Sequence, residues 1–146
     1  MSKTNTFEND LLQLIFNNVD IALIGDAAGL QNSAAAGSLY VSLHSADPGE
    51  AGTQSTSEVS YTGYARVAVA RTAGGWTVST NTVSNTAAVT FGACTAGSVT
   101  ATHFSVGTDS TGAGKALYNG ALNASLAISS GITPSFPIGT LVITED

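Results

Sequence analysis

Leu39-Tyr40-Val41-Ser42-Leu43-His44 is the stretch that decides the fold. Apolar and polar side chains alternate there with a period of two, as in a strand that lays one face on a core. The same period returns at 64–70, around Val67 and Val69, and predicts further strands at 76–79, 82–91, 98–107, 115–121, 126–129 and 141–144. Turn chemistry separates them. Asp47-Pro48-Gly49 opens a long loop over 46–62, and Gly74-Gly75 predicts a tight hairpin between 64–70 and 76–79. Gly92, Gly97, 109–114, Gly131 and 134–139 punctuate the rest. About eight short strands at this spacing predict an all-β fold, an antiparallel β-sandwich or jelly roll. No strand–helix–strand alternation occurs, which excludes a parallel α/β sheet, and no heptad, collagen-like or short β-helix repeat is present.

Upstream of Gly37 the period is different. Phe7, Leu11, Leu14 and Ile15 recur at helical spacing, and Leu12, Phe16, Val19 and Leu23 form a second stripe beside them. These stripes predict a helix over 6–24 with a wide apolar face. Asn5 is the expected cap, with Glu8 three positions on, and Gly25 is the expected stop. Asn17, Asn18 and Asp20 could divide it into two short helices. The Ala-, Gly-, Ser- and Asn-rich run over 26–38 reads as a flexible connector. The expected organisation is an N-terminal helical arm and connector over 1–36 and a β-sandwich domain over 37–146.

Composition narrows the partners. Only 10% of the 146 residues are charged, against about 25% in ordinary soluble domains. Lys3, Arg66, Arg71 and Lys115 face ten carboxylates, for a net charge of -6. That balance opposes phosphate backbones and anionic lipid, so neither nucleic acid nor membrane is an expected partner. Gln13, Asn17, Asn18 and Asp20 interrupt the most apolar stretch before it could span a bilayer. Glu8 and Asp10 occupy the place of a signal peptide's basic region. The expectation is a chain soluble in the cytoplasm of the cell that makes it. β-proteins usually guard sheet edges with Lys, Glu and Pro, and this one has few charges and three prolines. We therefore expect neighbouring subunits to cover its edges.

Candidates for chemistry are few. His44 lies near Asp47, and His103 sits in an alternating stretch; each reads as a strand histidine bonded within the fold. Asp47, Glu50, Glu58 and Asp109 lack metal-ligand spacing, so no metal is expected. No nucleophile elbow, phosphate loop or zinc-protease motif appears, so no catalytic residue, no cofactor and no enzymatic activity are expected. Cys94, the single cysteine, has no basic neighbour and reads as a small buried hydrophobe. Trp76, Tyr61, Tyr64 and Phe104 read as core and interface, with an exposed aromatic platform for sugar as the alternative.

Two stretches carry a family resemblance: Gly37-Ser-Leu-Tyr-Val-Ser-Leu-His-Ser-Ala-Asp-Pro-Gly-Glu-Ala-Gly52, and Glu58-Val-Ser-Tyr-Thr-Gly-Tyr-Ala-Arg-Val-Ala-Val69 leading through Arg71 into Gly74-Gly75-Trp76. Val83-Ser-Asn-Thr-Ala-Ala-Val-Thr-Phe91, His103-Phe104 and Thr144-Glu145-Asp146 continue it. From about residue 37 onward the chain resembles small tailed-bacteriophage virion proteins often labelled tail fibre proteins. The resemblance implies a structural protein located in the virion and assembled in the bacterial cytoplasm. Lacking an elongated repeat, the chain is expected to be a capsid decoration (cement) protein. Its partners would be copies of itself, as a homotrimer, and the major capsid protein or other virion proteins. A tail adaptor or fibre-associated protein is the first alternative, and a glycan-binding host-recognition module the second. Phe7, Leu11, Leu14, Ile15, Phe16 and Trp76 are the expected interface residues.

Overall fold

The computed structural model describes residues 2–146. Its elements in chain order are helix α1 (Asn5–Asn17) and strands β1 (Ser38–His44), β2 (Val67–Ala70), β3 (Trp76–Ser79), β4 (Thr82–Asn85), β5 (Val89–Thr90), β6 (Ser98–Gly107), β7 (Ala116–Ser129), β8 (Ser135–Phe136) and β9 (Val142–Thr144). Among the described residues they form a four-stranded sheet ordered β2-β1-β6-β7, a three-stranded sheet ordered β3-β4-β9, and the pair β5-β8. The β1–β6, β6–β7, β3–β4 and β4–β9 pairs are antiparallel. Among the described residues no sheet closes into a barrel. The expected class, all-β with antiparallel sheets and an N-terminal helix, is the class observed.

The chain forms two compact units. One comprises Met1–Ser38, Ala70–Ala88 and Phe136–Asp146, and the other Leu39–Val69 and Val89–Ser135.

In the first unit, α1 begins one residue earlier than the sequence predicts. Thr4, not Asn5, is the cap, and its hydroxyl accepts from the Phe7 amide. The helix also stops well short of Gly25. Asn18 adopts the left-handed conformation (φ 57°), which asparagine tolerates better than most residues. Its side chain then binds forward, with Nδ2 donating to Ser33 O at 2.9 Å and Oδ1 accepting from Ser33 N at 2.9 Å. Paired Ile21–Leu30 backbone bonds (2.9 and 2.8 Å) and Asn32 N to Asp20 Oδ1 (2.6 Å) complete a hydrogen-bonded hairpin where a flexible connector was expected. These local bonds outcompete the Val19–Leu23 continuation of the stripe, leaving both side chains exposed.

Glu8, Leu12 and Phe16, one turn apart, are the buried line of α1. Phe16 meets the Trp76 ring edge-to-face with centroids 4.9 Å apart. Arg71 ties the helix end down: Nε donates to Ile15 O (2.6 Å), one terminal nitrogen to Leu14 O (2.7 Å) and the other to Ala36 O (3.1 Å). A cation on the last helical carbonyls also complements the negative end of the dipole. Across the unit, buried Asn85 donates to Ala87 O (2.8 Å) and Pro137 O (2.9 Å) and accepts from Leu141 N (2.9 Å). It thereby fixes the bend that delivers β9 to β4.

Several strand boundaries differ from expectation: the run 64–70 shortens to β2, and β8 falls within 134–139, where a turn was expected. The run 82–91 divides into β4 and β5, because the chain turns over Ala87 under the Asn85 amide. Gly74-Gly75 does not join two paired strands: β2 pairs with β1, whereas β3 pairs with β4. The turn there closes through Gly75 N and Trp76 N, both on Thr72 O at 2.9 Å. The segments 115–121 and 126–129 are one strand, β7, whose register against β6 slips between Ala121 and Leu126, opposite Thr102.

Candidate functional site

The second unit holds most of the stretches 37–52 and 58–69 quoted above. Glu58 and Arg66 form a two-pronged ion pair, with Nε to Oε1 at 2.8 Å and a terminal nitrogen to Oε2 at 2.7 Å. The remaining prongs of the guanidinium reach the β6–β7 loop, at Asp109 O (2.9 Å) and Gly112 O (2.7 Å). Arg66 therefore staples two loops, and its side chain is only 2% exposed. The Glu58 carboxylate stabilises its charge and raises its pKa, against the opposing effect of burial.

Tyr64 sits between this pair and β1. Its hydroxyl donates to Glu58 Oε1 (2.8 Å) and accepts from Leu43 N (3.2 Å). Burial, above all, pushes the phenol well above the usual tyrosine range. The ring stacks on Phe91 at 6.0 Å and meets Tyr61 edge-on at 5.4 Å. Tyr61 in turn donates to Gly92 O at 2.9 Å. The glycine inside the Tyr-Thr-Gly-Tyr-Ala-Arg string is required: Gly63 has φ +105°, and a Cβ there would lie 2.2 Å from Ala93 O. Glu58, Ser60, Tyr64, Arg66, Ser110 and Thr111 line a shallow cleft of about 390 Å³ beside the pair.

A second polar cluster lies inside the four-stranded sheet. His44 Nδ1 faces Thr56 O at 2.8 Å, and since a carbonyl only accepts, Nδ1 carries the proton. Nε2 is then an acceptor, with the hydroxyls of Ser105 (2.9 Å) and Ser42 (3.0 Å) in reach and 2.7 Å from each other; having one proton each, one serine donates to Nε2 and the other donates to that serine's oxygen. A serine hydroxyl on a neutral imidazole is half of an acyl-transfer arrangement. Here Ser42, His44 and Ser105 are all 0% exposed, so no substrate reaches them in this conformation. Desolvation lowers the His44 pKa, outweighing the Thr56 carbonyl and the Glu58 carboxylate. His103 stands directly across the ladder from His44, bonded to Thr102 Oγ1 at 2.9 Å. Among the described residues no cluster of His, Cys, Asp and Glu could hold a metal. No helix among them is long and apolar enough to cross a membrane.

The expected interface residues divide. Phe7 is exposed, and Leu11, Leu14 and Ile15 are half-buried, so their stripe is available on the outer side of α1. Phe16 and Trp76 are fully enclosed against each other in the core of their own unit. Trp76 accordingly presents no ring face to a sugar. Further apolar exposure lies at Leu23, Ile24 and Leu30 in the hairpin after α1, and at Ile138 and Val142.

Sequence reasoning did not single out Arg66, Glu58 and Tyr64 as a unit, nor Arg71, Asn85 and Ser105. The usable signal was scarcity: in a chain with two arginines, each has a specific structural use. The protein family described as Podophage GP4 fiber I protein gp80 matches this chain over residues 2–144. No curated protein matches it.

Proposed function

The chain belongs to this podophage fiber protein family, which makes it a structural protein of a phage virion, and on that premise we propose that it is a tail-fibre-associated subunit. It works by packing against other virion proteins, without catalysis. The observation that carries this reading is the family match across nearly the whole chain. The internal chemistry supports it: Glu58, Arg66 and Tyr64 saturate one another and two loops, and the Ser42–His44–Ser105 cluster is sealed. The groups with chemical potential are thus spent on rigidity.

The outer stripe of α1, formed by Phe7, Leu11, Leu14 and Ile15, is the surface we assign to a neighbouring virion protein. Capsid decoration, the favoured expectation from sequence, gains nothing from family membership and stands as the competing outcome. Cryo-electron microscopy of intact particles, with this chain tagged for gold labelling, distinguishes them. Label confined to the tail is expected. Label spread over the head shell would replace the fibre reading with the decoration reading.

A further inference from the structure

Helix α1 lies on β3 and β4 within the first unit, and its two ends are fastened unequally. At the N-terminal end the ties are at the surface. Lys3 pairs with Glu145 at 3.1 Å and with the Asp146 carbonyl, and Asn9 Nδ2 donates to Thr80 O at 3.0 Å. Ion pairs in contact with solvent hold weakly and yield to salt. At the C-terminal end one side chain does the fastening. The Arg71 guanidinium donates to Leu14 O and Ile15 O in the helix and to Ala36 O in the segment that follows it. These are charge-assisted bonds at 2.6–3.1 Å, and they are the stronger of the two fastenings.

Between these ends the contact is imperfect. Leu12 and Phe16 are fully enclosed in it, but Glu8, on the same line, is buried at 4% exposure, and neither ion pair of the described residues reaches it. Trp76, packed on Phe16, has a buried indole N–H with no acceptor. Asn17, the last residue of α1, has a buried amide oxygen with no donor. Among the described residues these are the only two buried side-chain atoms without a hydrogen bond. Both belong to α1 or to the strand it covers, whereas buried Asn85 and the Ser42–His44–Ser105 cluster are bonded. A buried polar group without a partner disfavours the closed contact, because water satisfies it once the contact opens.

We infer that α1 is a latched strap: it opens from β3 and β4 as one body while the sheet β3-β4-β9 stays folded, and Arg71 is the latch. Opening gives Glu8, Asn17 and the Trp76 N–H access to water. It also bares Leu12, Phe16 and the Trp76 ring, so the closed form dominates. The two forms stand in a local equilibrium, reached well before the unit unfolds. Once detached, a helix of 13 residues is too short to hold itself in water, so its amides lose protection together. Opening returns Phe16 and Trp76 to the surface, the two expected interface residues that the closed form encloses. The device is contained in the first unit and does not depend on where in the virion the chain resides.

The test is amide hydrogen exchange of the full chain, read residue by residue in low concentrations of urea. In the natural chain the amides of residues 9–17 are expected to exchange through an opening at least about tenfold more populated than that of β4. Their urea dependence should also be the weaker, because a local opening exposes less surface than unfolding. Arg71→Met keeps an apolar stem and removes the latch. It should speed exchange across the whole of α1 at least about tenfold and leave β4 and β9 unchanged. Should that variant fail to fold, the natural chain decides alone. Amides of α1 and β4 that share one opening and one urea slope overturn the proposal, because helix and sheet then unfold together. So does an Arg71→Met effect confined to the last turn of α1, or one that reaches β4 and β9 equally.

Discussion

Replacing Arg66 with Met removes the guanidinium while leaving most of the side chain's apolar stem. Four hydrogen bonds vanish, two to Glu58 and one each to the Asp109 and Gly112 carbonyls. Adding four charge-assisted bonds at about 1.5–3 kcal/mol each would overstate the loss, because they act as one network. What sets the cost is what stays behind. Stranding a buried carboxylate without its cation costs ~3–5 kcal/mol. The Glu58 side chain keeps 16% exposure and the Tyr64 donor, which we expect to reduce that to about 2–4 kcal/mol. The two abandoned carbonyls add roughly 1 kcal/mol. Arg66→Met should therefore destabilise the protein by about 3–5 kcal/mol, a large share of the ~5–15 kcal/mol of a typical domain. Adding Glu58→Gln removes the stranded charge and should recover at least ~1 kcal/mol. The assay is urea unfolding at neutral pH followed by far-UV circular dichroism, since the only tryptophan, Trp76, lies in the other unit. A loss under about 1 kcal/mol for Arg66→Met, or no recovery in the double variant, would refute the reasoning.

Three further outcomes are expected. The folded-state pKa of His44 lies below its ordinary value of 6.5, so its contribution to stability is complete above that pH and is lost as pH falls toward the lowered value. His44→Gln should flatten that part of the acid limb in pH-dependent unfolding, and an unchanged slope would show that other groups cause it. Arg71→Ala should release the end of α1 from Leu14, Ile15 and Ala36 at a cost of about 1–3 kcal/mol, seen as faster amide exchange in the last turn of the helix and unaltered exchange in β6. Asn85→Leu removes two donors and an acceptor from a buried bend. It should cost about 2–4 kcal/mol in thermal or urea unfolding, and a change below 1 kcal/mol would show that the Pro137–Leu141 bend holds itself.

Periodicity makes most strands readable from the sequence, because a half-buried strand must alternate. Residues 98–107 and 76–79 coincide with β6 and β3, and the pause after Ala121 marks where β7 slips against β6. What failed was anything decided by side-chain hydrogen bonds. The end of α1 is set by Asn18 reaching Ser33, and the break after β4 by Asn85 reaching Ala87 and Pro137. Both asparagines look like ordinary polar residues in a pattern of apolar spacing. Nor does periodicity reveal that Ala70–Ala88 and Phe136–Asp146 fold with the N-terminal segment, since that joining depends on contacts far apart in sequence. The polar clusters were hidden for the same reason. Ser105 reaches His44 across paired strands, and Arg66 reaches Gly112 from another loop.

Both arginines point inward, and Lys3 is tied to Glu145 and to the Asp146 carbonyl. The cations that might have dressed the exterior are largely occupied, so the surface is dominated by carboxylates and draws a sheath of small ions around each molecule. Over the ~8 Å reach of such fields at physiological ionic strength, another acidic surface brought close is pushed away. Dilute buffer lengthens that reach and added salt shortens it. A contact with another acidic protein surface should tighten in brine and loosen on dialysis into water, the reverse of a protein that grips nucleic acid.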